Sequence, residues 1–241
     1  MRIGPIIGHR GAAMLAPENT IESFATAYDY GCRVVEFDVA LSADGELFIF
    51  HDDLLRRTTN GSGEIWRMNA DYIRSLDAGS WFAPCFKGVK IPTLSETLHW
   101  LLEHQMQANI EIKGHLELNQ AVTHAVVEQI KKIWPADQAL PLVSSFYPEV
   151  LSLCRQQFTS LPLGWLLEKW TLGALEQAKA LGCVSVHLSR RLVSPKRVAY
   201  LKQQGFFVYV YMVNQYSLMA KYRSWGIDGV FTDYPRWNWE R

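Results

Sequence analysis

Three carboxylates, Glu36 and Asp38 in VVEFDV and Glu111 in NIEIK, are the residues of this chain whose spacing most directly suggests chemistry. In an extended strand, alternate side chains share a face about 7 Å apart, so Glu36 and Asp38 point one way and Val35, Phe37 and Val39 the other. The same count sets Asn109, Glu111 and Lys113 on one face, with Ile110 and Ile112 behind them. Carboxylates gathered in an interior cannot stay charged and alone, because each isolated buried charge is strongly destabilising. Two arrangements would satisfy them. One is a hard divalent cation, for which an all-oxygen set with positions left for water or substrate suits Mg²⁺ or Ca²⁺ better than zinc. The other is ion pairing with Arg33, Arg10 or Lys113, and spacing leaves both open.

Two histidines extend the pattern. His9, followed by Arg10, closes a short apolar run at 5–10, and His51 closes ELFIFH at 46–51. A single histidine at a strand end is more often a hydrogen-bonded structural residue. Two that converge on one carboxylate cluster suggest general acid–base catalysis. The other five, His99, His104, His115, His124 and His187, are placed outside the site, with His115 near enough to EIK to support it from behind and His187 at a strand end.

The elements that must position these groups are legible as alternating patterns. Val-, Ile- and Phe-rich runs recur at 5–10, 34–39, 46–51, 108–113, 141–146, 161–167, 183–188, 206–213 and 228–232. Most are separated by helical periodicity, which favours a parallel α/β sheet. The first helix begins at Asn19 or Thr20, with Glu22 in the capping-box position and Ile21, Phe24, Ala25 and Tyr28 as its stripe. Further helices are expected at 94–105, 117–133, 148–157, 171–181, 195–204 and 216–225.

The link from 39 to 46 is too short for a parallel crossover, so 46–51 must return antiparallel through the turn residues Asp44 and Gly45. Setting that strand aside leaves eight for a TIM-like (β/α)₈ barrel, whose active sites lie at the C-terminal ends of the strands. A turn on Asp44 and Gly45 pairs residues whose numbers sum to 89 and sets His51 opposite Asp38; one a residue earlier sums to 87 and sets it opposite Glu36. The intermediate register would turn His51 away from the carboxylates. Residues 52–93 break the barrel rhythm and are expected to form an inserted lid or subdomain within a single 1–241 catalytic domain.

Composition narrows the function classes. Lys plus Arg equals Asp plus Glu at 24 each, so no overall field attracts nucleic acid or an anionic membrane. The four cysteines are widely spaced and form no C-x-x-C pair, which argues against a zinc knuckle and for reduced thiols. The longest apolar stretch, 206–213, is far short of the roughly 20 residues a spanning helix needs. No export signal marks the N-terminus, and the expected location is the cytoplasm.

GHRG…APENT, EFDV-x6-ELFIFHDD, NIEIK and the closing DGVFTDYP, in that order, resemble the glycerophosphodiester phosphodiesterase family over nearly the whole chain. LDAGSW, LVSSF and VHLS bring the likeness nearest to cytosolic bacterial members linked to glycerol-3-phosphate uptake. The resemblance implies an acid–base pair in His9 and His51, metal ligands in Glu36, Asp38 and Glu111, and phosphate contacts from Arg10 and Lys113. It implies a divalent metal, Mg²⁺ before Ca²⁺, and as substrates small glycerophosphodiesters such as glycerophosphocholine and glycerophosphoethanolamine. These would be cleaved to sn-glycerol 3-phosphate and an alcohol, either through a cyclic phosphate formed by the neighbouring glycerol hydroxyl or by direct attack of water. Tyr211 stands where many members carry Trp, a change expected to reshape the pocket wall and spare the chemistry. Two rival readings are a membrane-acting phospholipase or sphingomyelinase of related barrel type, which the lack of an evident basic amphipathic face disfavours, and a silent phosphometabolite-binding barrel, which the retained histidines disfavour.

Overall fold

The computed structural model describes residues 3–114, 117–171 and 173–237. The chain runs β1 (Ile6–His9), α1 (Ile21–Asp29), β2 (Val34–Leu41), β3 (Leu47–Ile49), α2 (Ala70–Ser75), α3 (Leu94–Glu103), β4 (Gln107–Ile112) and α4 (Asn119–Ile133). It continues through β5 (Leu142–Ser145), α5 (Pro148–Gln157), β6 (Leu163–Leu167), α6 (Ala174–Ala180), β7 (Ser185–Ser189), α7 (Pro195–Gln203), β8 (Phe207–Tyr211), α8 (Tyr216–Ser224) and β9 (Gly229–Thr232).

All strands except β3 pair in parallel, in the order β1-β9-β8-β7-β6-β5-β4-β2, and β1 pairs with β2 to close the ring. The result is the expected eight-stranded barrel with one extra strand. Strand parity sorts its side chains. Val35, Phe37, Val39, Ala108, Ile110 and Ile112 face outward into the core shared with the helices. Inward, Ile3, Ile7, Val34, Leu142, Tyr209 and Phe231 pack into a second apolar cluster. Beside Val34 and toward the C-terminal end of β2, the inward face changes to Glu36 and Asp38. Register then sets heights: His9 is level with Glu36, and Asp38 with Glu111.

Helix starts follow local chemistry. Thr93 and Glu96 form a reciprocal capping box on α3, while Pro148 and Pro195 open α5 and α7. On α1 the cap is Thr20, whose side chain accepts from Ser23 N, so Glu22 is one position too early for a capping box. The buried face is Ser23, Phe24 and Ala27, with Ile21 and Tyr28 only partly covered, a shift from the expected stripe.

The hairpin departs from both expected registers. Val39 pairs with Ile49 and Leu41 with Leu47, a sum of 88, around the three-residue loop Ala43–Asp44–Gly45. Ser42 N donates to Glu46 O, Glu46 N donates to Ser42 Oγ, and Gly45 takes the left-handed φ of +88° such a loop requires. The Asp44 carboxylate accepts from Ala70 N at the start of α2 and from Ser42 Oγ, which ties the loop to the segment that follows β3.

Residues 52–93 build their own small core, with Leu55, Ile65, Ala70, Ile73, Leu76, Ala78 and Ile91 packed against Phe48 and Phe50. Its loop is stapled by the Asp77 carboxylate, which accepts from the backbone N–H groups of Gly79, Ser80 and Gly88 and from Ser80 Oγ.

Candidate active site

A cavity of about 310 Å³ opens at the C-terminal ends of the barrel strands. His9, Arg10, Glu36, His51, Glu111 and Lys113 line one side of it, and Phe146, Leu166, Tyr211, Met212 and Phe231 line much of the rest. Asp38 lies directly behind, 2% exposed. The structure therefore brings all seven predicted site residues together.

Ligand atoms of Glu36, Asp38 and Glu111 all lie within 4.8 Å of one another. Ion pairing accounts for only part of this charge. Asp38 meets Arg10 Nε at 3.3 Å and Lys113 Nζ at 3.7 Å and accepts from Asn19 Nδ2 at 3.0 Å. Burial alone would raise the Asp38 carboxyl, but Arg10 and Lys113, with His51 and the Asn19 amide, hold it below the ordinary range. Glu36 accepts a hydrogen bond from Arg10 N at 3.0 Å, yet burial and the charges of Asp38 and Glu111 push its carboxyl well above the ordinary value. Burial and Asp38 push Glu111 up to about 8. Arg33, the third candidate partner, bonds instead to the carbonyls of Tyr28 and Cys32. Two carboxyls that resist ionisation beside a third that is ionised form an all-oxygen donor set lacking one positive centre, which fits a hard divalent cation.

Each histidine is gripped at Nδ1 by an aspartate, leaving Nε2 as the nitrogen available for proton transfer. His9 Nδ1 lies 2.7 Å from Asp233 Oδ1. Asn214 Nδ2 donates to the other Asp233 oxygen, and Asp233 N donates to Asn214 Oδ1. His51 Nδ1 lies 2.5 Å from Asp52 Oδ1. Burial lowers the His51 imidazole, and Arg10 and Lys113 add to this against the opposing pull of Asp38 and Asp52. His51 reaches the cavity even though the hairpin register of 88 was expected to turn it away. β3 ends at Ile49, so strand alternation no longer governs a residue two positions further on.

A model of the glycerophosphoryl diester phosphodiesterase family matches residues 9–236. The chain belongs to this family. It is 30% identical to a glycerophosphodiester phosphodiesterase of Caldanaerobacter subterraneus over 230 residues, covering 95% of this chain and 94% of the relative. A Bacillus subtilis glycerophosphodiester phosphodiesterase is 32% identical over 247 residues, covering 95% and 83%. Among solved structures, an Oleispira antarctica phosphodiesterase in complex with the product sn-glycerol-3-phosphate superposes with a TM-score of 0.94 at 34% identity, covering 97% of this chain and 94% of that one. The present chain is accordingly a glycerophosphodiester phosphodiesterase, a phosphoric diester hydrolase.

Several parts of the phosphodiesterase site were not foreseen from the sequence. Asn19, read as a possible helix cap, takes a left-handed φ of +57° and turns its amide onto Asp38. Asp52, Asp233 and Asn214 hold the histidines, and Glu18 accepts from Arg10 NH1 at 2.6 Å. Glu168, just past β6, also lines the cavity. Glu18 and Asn19 in APENT, Asp52 in HDD and Asp233 in TDYP adjoin candidate site residues or elements, whereas Asn214 and Glu168 carried no such local signal. Tyr211 forms part of the wall and donates through its hydroxyl to Leu167 O at 3.0 Å.

The remaining histidines lie apart. His99 and His124 sit on α3 and α4, and His104 caps α3 and stacks on Trp100. His187 is fully buried inside β7, and burial pushes it down to about 3. His115 falls outside the described residues. No helix among the described residues is long and apolar enough to cross a membrane.

Proposed function

We propose that this enzyme cleaves small glycerophosphodiesters, with glycerophosphocholine and glycerophosphoethanolamine as representative substrates, to sn-glycerol 3-phosphate and the alcohol. His9 and His51 serve as its acid–base pair and a divalent metal as its cofactor. The observation that carries this reading is the convergence of two aspartate-held imidazoles and three carboxylates on one cavity.

A phosphodiester is anionic, so the site must offset oxygen charge, take a proton from the attacking hydroxyl and give one to a poor leaving alkoxide. Arg10 and Lys113 provide fixed positive charge at the cavity wall. One imidazole removes the proton through Nε2 while the other delivers one to the departing oxygen, steps worth about 10²–10⁴ in rate. Asp233 and Asp52 fix the ring tautomers and favour the imidazolium each ring passes through. Glu36, Asp38 and Glu111 would hold Mg²⁺, with Ca²⁺ the alternative, and the ion when bound supplies further positive charge for phosphate oxygens.

Residues 52–93 serve as a subdomain beside the site, bringing Asp52 to His51 and Arg57 to Asp52. Four unpaired cysteines suit a cytoplasmic enzyme. His9→Ala and His51→Ala should each lower kcat by at least about 10²-fold with an unchanged near-UV circular dichroism spectrum. Near-normal turnover in either variant would remove that histidine from the mechanism.

A further inference from the structure

Arg57 lies in the 52–93 segment, outside the cavity lining, yet its guanidinium sits between two carboxylates that lead to two different site residues. NH1 and NH2 donate to Glu18 Oε2 and Oε1 at 2.9 and 2.7 Å. Nε and NH2 donate to Asp52 Oδ2 and Oδ1 at 2.5 and 3.0 Å. Glu18 Oε1 also accepts from Arg10 NH1, and Asp52 Oδ1 holds His51 Nδ1. The chain of contacts is therefore Arg10, Glu18, Arg57, Asp52, His51, with one planar fork at its centre.

We infer that Arg57 is a positioning residue, which sets the Arg10 guanidinium and the His51 ring in one frame although it touches neither. The inference rests on the roles proposed above for His51 and Arg10. Two considerations carry it. A guanidinium can present two edges to two carboxylates at once, which a lysine ammonium, a compact point charge, cannot reproduce. The arms it joins also come from different parts of the fold, the loop after β1 and the segment after β3, and Arg57 is 39 residues from Glu18 in sequence. Its side chain is 44% exposed, so its attraction alone contributes little to overall stability. Its effect is on geometry, and a misplacement of about 1 Å in reacting groups can cost on the order of 10²-fold in rate.

The test uses the metal-supplemented enzyme with glycerophosphocholine. Arg57→Ala should lower kcat/KM by about 30- to 100-fold with a melting temperature near wild type. It should shift the His51 limb of the pH–rate profile and weaken competitive inhibition by inorganic phosphate, the readout of the Arg10 arm. Guanidinium at millimolar concentration should restore at least about five-fold of the lost activity in Arg57→Ala and none in Arg57→Lys, where the ammonium occupies the space. Asp52→Ala combined with Arg57→Ala should lose less than the product of the two single losses, because the second change removes support for a contact already gone. Full activity in Arg57→Ala, or a loss with no guanidinium rescue, unaltered phosphate inhibition and multiplicative behaviour in the double variant, would overturn the inference. A wild-type enzyme inactive on glycerophosphocholine, or an active His51→Ala variant, would instead overturn the reading on which it rests.

Discussion

Glu111→Gln should make the metal-free protein more stable at alkaline pH while removing its response to metal. In the folded chain the Glu111 carboxyl is raised from 4.5 to about 8, first by burial and then by Asp38. A carboxyl raised by folding destabilises the native state above its unfolded value. The penalty is absent below about pH 4.5, grows with pH as the unfolded chain ionises and the folded one does not, and levels off above about 8. At pH 7 these two values correspond to about 3 kcal/mol, and relaxation around the coupled carboxylates brings the expected effect to about 1–3 kcal/mol. For a chain of this size, that is a shift of roughly 2–10 °C in melting temperature. Thermal unfolding of wild type and Glu111→Gln in EDTA, at pH 5 and pH 8, measures it. The variant should melt higher at pH 8 and nearly equal at pH 5. Saturating Mg²⁺ should then raise wild type and leave the variant almost unmoved. A variant that is no more stable than wild type at pH 8 without metal would refute the claim that this carboxylate cluster is electrostatically incomplete on its own.

Two further substitutions probe the supports of the site. Asp233→Asn keeps a partner for His9 Nδ1 but removes the charge that stabilises its imidazolium, so kcat should fall at least about ten-fold with little change in KM, measured by steady-state kinetics. Asn19→Ala withdraws the amide donor from Asp38 and should weaken metal binding by about 10- to 100-fold, read by titration calorimetry of the metal-free protein.

Where side-chain parity operated, the sequence was a good guide to this site. Glu36 and Asp38 could be placed inward because Val35, Phe37 and Val39 needed the opposite, apolar side, and the same reasoning brought Asn109, Glu111 and Lys113 to the cavity. The hairpin shows where parity stops. Asp44 and Gly45 resembled a two-residue turn, but Asp44 is drawn to Ala70 N and the loop takes three residues, so the register fell between the two expected. His51 nevertheless arrived beside the carboxylates because β3 ends before it. The supports of the histidines lay beyond such reasoning. Asp233 meets His9 across 224 residues through barrel closure, and Arg57 meets Glu18 across 39, contacts that no local periodicity encodes.

The most direct test of the whole account is release of glycerol 3-phosphate from glycerophosphocholine, measured before chelation, after EDTA treatment and after titration back with Mg²⁺ or Ca²⁺. The account predicts turnover that disappears on chelation and returns with added metal, together with loss of that recovery in Glu111→Gln. Full activity in the chelated enzyme would contradict it, because Glu36, Asp38 and Glu111 could then not be gathered to hold a cation needed for the reaction.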